Sequence, residues 1–305
     1  MHAVVMHETG DPDVMRYEEI DRPKPGDGEV LIKVHAASVN PADWKLRRGF
    51  MEKPLPAVLG IDVSGTVEVS RAEGFAAGDE VFGSSASGGY AEYSTASVAA
   101  IARKPEGVSH EQAAAIPVAG LTAWQALFDQ GGLVSGQSAL VAGAAGGVGH
   151  FAVQFAKVAG ARVIGTGSTG NREFVLGLGA DEYVDYTQQE LGEAVSGADL
   201  AFDTVGGDTT ASLVSAVREG GMLVTIANAP PEDAARERGV RAELLVMSPK
   251  SEQLARIADL VASGDVRVEI AEAMPLLDVK RAHELSESGH VRGKLVLTVA
   301  TSPSP

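Results

Sequence analysis

The chain of 305 residues has no cysteine, two tryptophans and only 5% aromatic residues. Without cysteine there is no disulfide, no thiol nucleophile and no zinc site built on thiolates. Positive charge is also scarce. The 25 Lys and Arg residues stand against 41 Asp and Glu, a formal net charge of −16, which argues against a nucleic-acid footprint and reads as a solubility feature. Such a field repels phosphate ligands at long range, so any phosphate site must be locally basic. The N-terminus, Met1 to Asp11, carries acidic residues and no long apolar run, so it does not read as a signal peptide. The longest uncharged stretch is interrupted by glycines, which argues against a membrane span. The chain reads as soluble and cytoplasmic, with neither a nucleic-acid nor a membrane partner.

Several catalytic machineries are missing as well. A short-chain reductase needs a Tyr-x-x-x-Lys pair on one helix face, but Tyr17, Tyr90, Tyr93, Tyr183 and Tyr186 are followed four residues on by Asp21, Ser94, Ser97, Thr187 and Glu190. The seven histidines are scattered without a His-x-x-x-His spacing, so no metal-ligand set is legible. The serine-hydrolase elbow Gly-x-Ser-x-Gly does not occur. Hydride transfer remains, in which a cofactor supplies the chemistry and the protein orients it.

What is present centres on residues 138–156. A short apolar strand (Ala139 to Ala142) runs through a glycine turn (Gly143 to Gly149) into a helix, with Phe151, Val153, Phe155 and Ala156 available for packing. Glycine lets the backbone turn tightly and approach a pyrophosphate, and the helix N-terminus offers N–H groups and a positive dipole end to it. On the turn alone, a ligand-free βα connection is the alternative. Residues 1–100 read as β-rich, with runs at Ala3 to Met6, Glu29 to Ala37, Val63 to Val69 and Glu80 to Phe82 between turn signals. Helical stretches Glu111 to Ala115 and Leu121 to Phe128 follow.

Beyond the glycine turn, strands at Arg162 to Thr166, Tyr183 to Asp185, Asp199 to Asp203, Met222 to Ile226 and Arg241 to Val246 alternate with helices at Asn171 to Leu178, near Gln188 to Val195, and at Thr209 to Val217. This alternation predicts a doubly wound parallel sheet covered on both faces. A helix, Ser251 to Ala262, leads to a tail ending in the strand Leu295 to Val299, which is expected to rejoin the β-rich region. The final Thr301 to Pro305 resembles a disordered end. The expected domains are 1–117, 118–247 and a return to the first over 248–305.

In a dinucleotide fold a carboxylate about 20 residues past the glycines grips the ribose 2′-OH of NAD. Here the second strand ends without one, and Ser168, Asn171 and Arg172 occupy the neighbourhood. A 2′-phosphate wants a guanidinium with hydroxyl or amide donors. The expected cofactor is NADPH rather than NADH.

A series of motifs extends over nearly the whole chain. It comprises Asn40-Pro-Ala-Asp-Trp-Lys45, Leu59-Gly-Ile-Asp-Val-Ser-Gly65, Gly78-Asp-Glu-Val-Phe-Gly83, Gly89-Tyr-Ala-Glu92, Gly120-Leu-Thr-Ala-Trp-Gln125, Ala144-Ala-Gly-Gly-Val-Gly149, Asp203-Thr-Val-Gly-Gly207 and Val291-Arg-Gly-Lys294. In this order and spacing the chain resembles the zinc-independent medium-chain dehydrogenase/reductases, in their quinone oxidoreductase branch. The resemblance implies an α/β architecture: a GroES-like β-rich catalytic domain drawn from both chain ends, and a central Rossmann domain. It also implies a nicotinamide in the cleft between them.

Relatives using zinc carry a cysteine in the segment matching Asn40 to Asp43 and a His-Glu pair after the glycine matching Gly60. This chain has Ile61-Asp62 there, which implies a zinc-free protein with no metal ligands.

By the same resemblance Asn40 sits near the nicotinamide and substrate, and Thr122 contacts the cofactor near its ribose or phosphates. Gly146, Gly147 and Val148 hold the pyrophosphate. Ser168, Arg172 and Tyr186 surround the adenosine 2′-phosphate, while Ile226, Ala227 and Asn228 flank the nicotinamide. Lys294 is a further cofactor candidate. Asp43 and Asp62 fit either a substrate role or a buried carboxylate that holds loops. Trp44 and Phe50 fit either an apolar substrate pocket or simple packing, and they stand where many relatives have a tyrosine.

The implied activity is reduction of a quinone or activated enone. An enoyl reductase of CoA- or carrier-linked acyl chains and a non-enzymatic NADPH-binding sensor are the alternatives. Relatives imply a homodimer through the Rossmann edge strand, for which Val240 to Met247 is the candidate.

Overall fold

The structure, a computed structural model, describes residues 1–299. The terminal stretch read as disordered lies outside the described residues. The described residues divide into two compact units, one of residues 1–119, 249–264 and 268 onward, the other of residues 120–248 and 265–267.

The first unit is built on antiparallel strands. In chain order they are β1 (His2–Met6), β2 (Met15–Glu19), β3 (Glu29–Val39), β4 (Ala57–Val58), β5 (Asp62–Ser70), β6 (Glu80–Ser84), β7 (Tyr93–Ser97) and β8 (Ile101–Arg103). The long strand β3 pairs with both β5 and β7. Its length comes from an almost unbroken β-prone run, and Pro41 ends it by opening helix α1 (Pro41–Arg48), where proline's fixed φ suits the first helical position. The sequence reading has no helix there, because eight polar-rich residues carry little apolar periodicity. Helix α2 (His110–Ala114) is started by a Ser109 capping box, in which the Ser109 hydroxyl accepts from the Gln112 amide and the Gln112 side chain accepts from the Ser109 amide. One buried core gathers Val30, Ile32, Val34, Val63, Val81, Tyr90, Leu295 and Leu297.

The second unit opens within α3 (Pro117–Trp124), which continues as a π-helical stretch over Gln125–Gln130. The helix expected over Leu121 to Phe128 therefore starts earlier and loosens midway. Six strands follow: β9 (Ser138–Ala142), β10 (Arg162–Gly167), β11 (Glu182–Asp185), β12 (Ala198–Asp203), β13 (Val217–Thr225) and β14 (Arg241–Leu244). They form a wholly parallel sheet in the order β11-β10-β9-β12-β13-β14. Counted from its first strand this is 3-2-1-4-5-6, the doubly wound order whose ligand crevice lies at the switch between strands one and four.

The crossover helices are α4 (Gly149–Val158), α5 (Arg172–Gly177), α6 (Leu191–Ala194), α7 (Asp208–Ala216) and α8 (Glu232–Glu237). Two expectations need correction. Helix α8, absent from the sequence reading, supplies the crossover between β13 and β14, and α6 is a single turn beginning only at Leu191. Helix α8 is mostly exposed and polar and α6 is only four residues long, so neither shows a helical apolar stripe. Strand β14 ends at Leu244, two residues short of the expectation, and is the sheet's edge.

The chain then returns to the first unit with α9 (Ser251–Ala262), β15 (Ile270–Pro275), α10 (Val279–Glu287) and β16 (Lys294–Thr298). The strand at the chain's end is where the sequence placed it, but α10 was not foreseen. Residues 265–267 stay with the second unit because Gln154 bridges to Arg267, donating to its carbonyl at 3.0 Å and accepting from its amide at 2.8 Å.

Candidate active site

In the second unit the sheet register brings the ends of β9 and β12 side by side, with Asp203 opposite Ala142. The glycine turn leaves β9 at Gly143, whose φ of 70° is in the left-handed region that favours glycine. A Cβ added to Gly149 would overlap the Gly143 carbonyl oxygen and come within 2.8 Å of Ala144 Cα. Close packing of helix on turn therefore demands glycine at that position. Val148, the N-cap residue of α4, makes no side-chain cap bond. Gly146, Gly147 and Val148 are half-buried along this turn.

The neighbouring loop is held by Asp203, a fully buried carboxylate. Its Oδ1 accepts from the amides of Val205 (2.9 Å) and Gly206 (3.0 Å), and its Oδ2 accepts from the Thr210 hydroxyl at 2.6 Å. Asn228 joins this loop by accepting from the Gly207 amide at 2.9 Å. Ile226 and Ala227 are half-buried and Asn228 is exposed just after β13. Asp203 was legible as part of a motif but not as the loop's organiser. Thr122 lies buried on α3.

At the end of β10, Asn171 Nδ2 donates to Ser168 Oγ at 3.3 Å and Tyr183 OH donates to the Ser168 carbonyl at 2.5 Å. Arg172 lies exposed, with its guanidinium carbon 5.8 Å from the Tyr183 ring centre. Tyr186, next along the chain from β11, is 61% exposed. The structure thus brings Ser168, Asn171 and Arg172 together as a cluster and adds Tyr183, which sequence reading missed. It also adds Asp185, paired with Gly167 in the sheet. The Asp185 carboxylate accepts from the hydroxyls of Thr169 (2.5 Å) and Thr187 (2.6 Å), which together with the Arg172 charge hold its pKa below the usual value.

The first unit holds a buried polar site built by strand register. Ser38 on β3 pairs with Asp62 on β5, and Val39 pairs with Leu295 on β16, so the next step of that ladder sets Lys294 beside Asn40. Lys294 Nζ donates to Asn40 Oδ1 at 2.5 Å and to the Val39 carbonyl at 3.2 Å. Asn40 Nδ2 donates to Asp62 Oδ2 at 2.8 Å. Asp62 also accepts from Ser38 Oγ (2.7 Å) and the Val118 amide (3.0 Å). Asp43 accepts from the amides of Asn40 (2.9 Å) and Gly60 (3.2 Å), and Tyr90 reaches it from the far side.

Burial raises the Asp43 pKa to about 6, and burial also raises that of Asp62 and lowers that of Lys294. Behind Tyr90, His283 sits 3.4 Å from the phenol oxygen, its pKa lowered to about 3 by burial and by the Arg47 charge. Trp44 and Phe50 meet edge-on at 6.4 Å between ring centres, with Phe50 72% exposed. Lys294, a further cofactor candidate in the sequence, lies with Asn40 and Asp62.

A 3-2-1-4-5-6 sheet with a glycine turn at its switch point, on one chain with a β-rich unit carrying a buried Asn-Lys-Asp site, defines a dinucleotide-fold oxidoreductase. Residues 26–106 match the family model for the alcohol dehydrogenase GroES-like domain, and residues 178–297 that for zinc-binding dehydrogenase. The structure is similar to the quinone oxidoreductase of Coxiella burnetii, with 36% identity, a TM-score of 0.93, and 98% of this chain and 99% of that chain covered. It is also similar to the Escherichia coli quinone oxidoreductase complexed with NADPH, at 28% identity and a TM-score of 0.90, covering 98% of this chain and 100% of that one. In sequence it is similar to the 2-methylene-furan-3-one reductase of Solanum lycopersicum, 36% identical over 94% of this chain and 76% of that protein. The chain belongs to the medium-chain dehydrogenase/reductase superfamily, in its quinone oxidoreductase branch.

A zinc ion is implied by one family description, but the residues here do not fit one. Both oxygens of Asp62 are taken by protein donors, and among the described residues no group of three or more His, Asp or Glu could hold a metal ion.

Proposed function

We propose that this oxidoreductase transfers hydride from NADPH, without a metal, to a quinone or an activated enone. The end of β10 carries the cofactor choice. There Ser168, Asn171 and Arg172 offer a hydroxyl, an amide and a guanidinium at the place where NAD-binding sheets carry a carboxylate. That set matches a 2′-phosphate, and the E. coli relative with bound NADPH supports the choice. In this reading Gly146, Gly147 and Val148 hold the pyrophosphate, and Ser168, Asn171, Arg172 and Tyr186 hold the adenosine 2′-phosphate. Thr122 and residues Ile226 to Asn228 hold the ribose and nicotinamide. Asn40 faces the acceptor, with Trp44 and Phe50 as its apolar wall.

NADPH held by these residues would supply a hydride, and with one proton taken from water the quinone would become hydroquinone, leaving NADP⁺. Negative charge develops on the acceptor oxygen, where an amide N–H stabilises it. The tomato relative, named for an enone, supports extending the acceptor class beyond quinones.

A second reading, NADH use, is favoured by Asp185, a carboxylate within reach of Thr169 beside the Ser168 cluster. Its oxygens already accept from Thr169 and Thr187, which leaves it poorly placed for a ribose hydroxyl. The test is consumption of NADPH and NADH, side by side, with 1,4-benzoquinone and a simple enone, each with and without EDTA. EDTA-insensitive turnover preferring NADPH is expected. Preference for NADH would overturn the reading of Ser168 and Arg172, and loss of activity with EDTA would overturn the metal-free reading. The same proposal places a homodimer on β14, beside which Val246 is 82% exposed.

A further inference from the structure

The geometry points to Lys294 as a positioning residue for acceptor reduction: its ammonium fixes the Asn40 carboxamide so that one amide N–H is presented to the acceptor oxygen. This rests on the reading that Asn40 faces the acceptor.

Asn40 occupies the N-cap of α1, where an asparagine ordinarily uses its side-chain oxygen to accept from an amide of the first helical turn. Here the Asp43 carboxylate bonds back to the Asn40 amide, as in a capping box. Its Oδ1 accepts from Lys294 at 2.5 Å, while Nδ2 donates to Asp62 at 2.8 Å.

These two partners permit one orientation only. An ammonium only donates and an ionised carboxylate only accepts, so a flipped carboxamide would face NH₂ against NH₃⁺ and oxygen against oxygen. Nδ2 carries two hydrogens and uses one within the protein, which leaves the other for a ligand. The cation behind Oδ1 draws electron density from the amide and strengthens that remaining N–H as a donor. Lys294 is 3% exposed and acts through Asn40, with Asp62 and Asp43 balancing its charge.

The test is a double-mutant cycle of Asn40→Ala and Lys294→Met, reading kcat with 1,4-benzoquinone, KM for NADPH and Tm. Asn40→Ala is expected to lower kcat by about 100-fold, the loss typical of one such donor, with KM for NADPH within about twofold. Lys294→Met is expected to lower kcat with the same unchanged KM, and the double variant to be no slower than Asn40→Ala. Multiplying losses in the double variant, or a raised KM for NADPH with kcat intact, would overturn the role given to Lys294. Full activity of Asn40→Ala would instead overturn the reading of Asn40 itself.

Lys294→Met leaves two buried carboxylates without their cation. If it fails to fold, the same cycle with Lys294→Arg, which keeps the charge but replaces a point donor by a planar fork, decides by the same criteria. The amide resonances of ¹⁵N-labelled asparagine give a readout independent of turnover, since the chain has only Asn40, Asn171 and Asn228 to resolve. In the wild type the Asn40 pair should be widely split and slow to exchange, and it should collapse in the Lys294 variant. An unchanged pair would refute the fixing contact.

Discussion

Replacing Gly149 by alanine adds one methyl group at the closest approach within the glycine turn. The new Cβ would overlap the Gly143 carbonyl oxygen and lie 2.8 Å from both the Gly143 carbonyl carbon and Ala144 Cα. All of these are backbone atoms, so no side chain can swing aside, and the helix start must move by about 1 Å or more to restore ordinary contact. Gly149 is not among the glycines with positive φ, so the backbone itself accepts alanine. Helix propensity alone would then favour the substitution by up to about 1 kcal/mol. Overpacking costs about 1–3 kcal/mol and against backbone sits at the upper end, giving a net loss of about 2 kcal/mol. That corresponds to a fall in Tm of about 4–8 °C for a unit of this size.

Gly146→Ala is the internal control, since its Cβ would meet only the Gly143 oxygen at 3.3 Å. It should leave Tm within about 2 °C but weaken NADPH binding at least about tenfold, because the methyl group stands where the pyrophosphate approaches. Thermal unfolding and calorimetric titration of NADPH read both effects. A Gly149→Ala protein with wild-type Tm and affinity would refute the packing reasoning. Unchanged NADPH affinity in Gly146→Ala would refute the placement of the pyrophosphate.

Removing the guanidinium in Arg172→Ala should raise KM for NADPH by about 10- to 100-fold, the worth of one charge-assisted contact, and leave KM for NADH unchanged; equal effects on both cofactors would contradict a 2′-phosphate role. Two buried groups make stability depend on pH in opposite senses. Asp43, with its pKa raised to about 6, costs about 3 kcal/mol above pH 6, a cost relieved as pH falls toward 4. His283, lowered from 6.5 to about 3, stabilises the fold fully above pH 6.5 and loses about 5 kcal/mol as pH falls through that window. Between about pH 6 and 4 the two slopes nearly cancel, so the histidine's net loss should show below about pH 4. His283→Phe, which keeps the edge-on ring packing with Tyr90, should flatten that acid limb in urea titrations, and an unaltered limb would disprove the assignment. If β14 pairs two copies, Val246→Lys should shift gel filtration toward the monomer without lowering Tm by more than about 1 °C, as an exposed position allows; a wild-type elution volume would exclude this edge.

The sequence by itself determined whatever is written locally. Glycine spacing between an apolar strand and a helix marks the turn at Gly143 to Gly149, because φ freedom and the lack of a Cβ are properties of single residues. Strand and helix alternation implied the parallel sheet, and the absence of cysteine removed thiolate chemistry. Helices α1, α8 and α10 escaped notice because their residues are mostly polar and their apolar stripes short.

Only the tertiary structure decided which distant residues share a site. Lys294 and Asn40 are separated by 254 positions and meet through the pairing of β16 with β3, a register that no local pattern encodes. Asp185 reaches the Ser168 cluster in the same way, by lying opposite Gly167 across two parallel strands. Burial decided the charges as well. A carboxylate such as Asp43 reads as an ordinary acid along the chain, and its pKa rises only when folding strips water from it on every side.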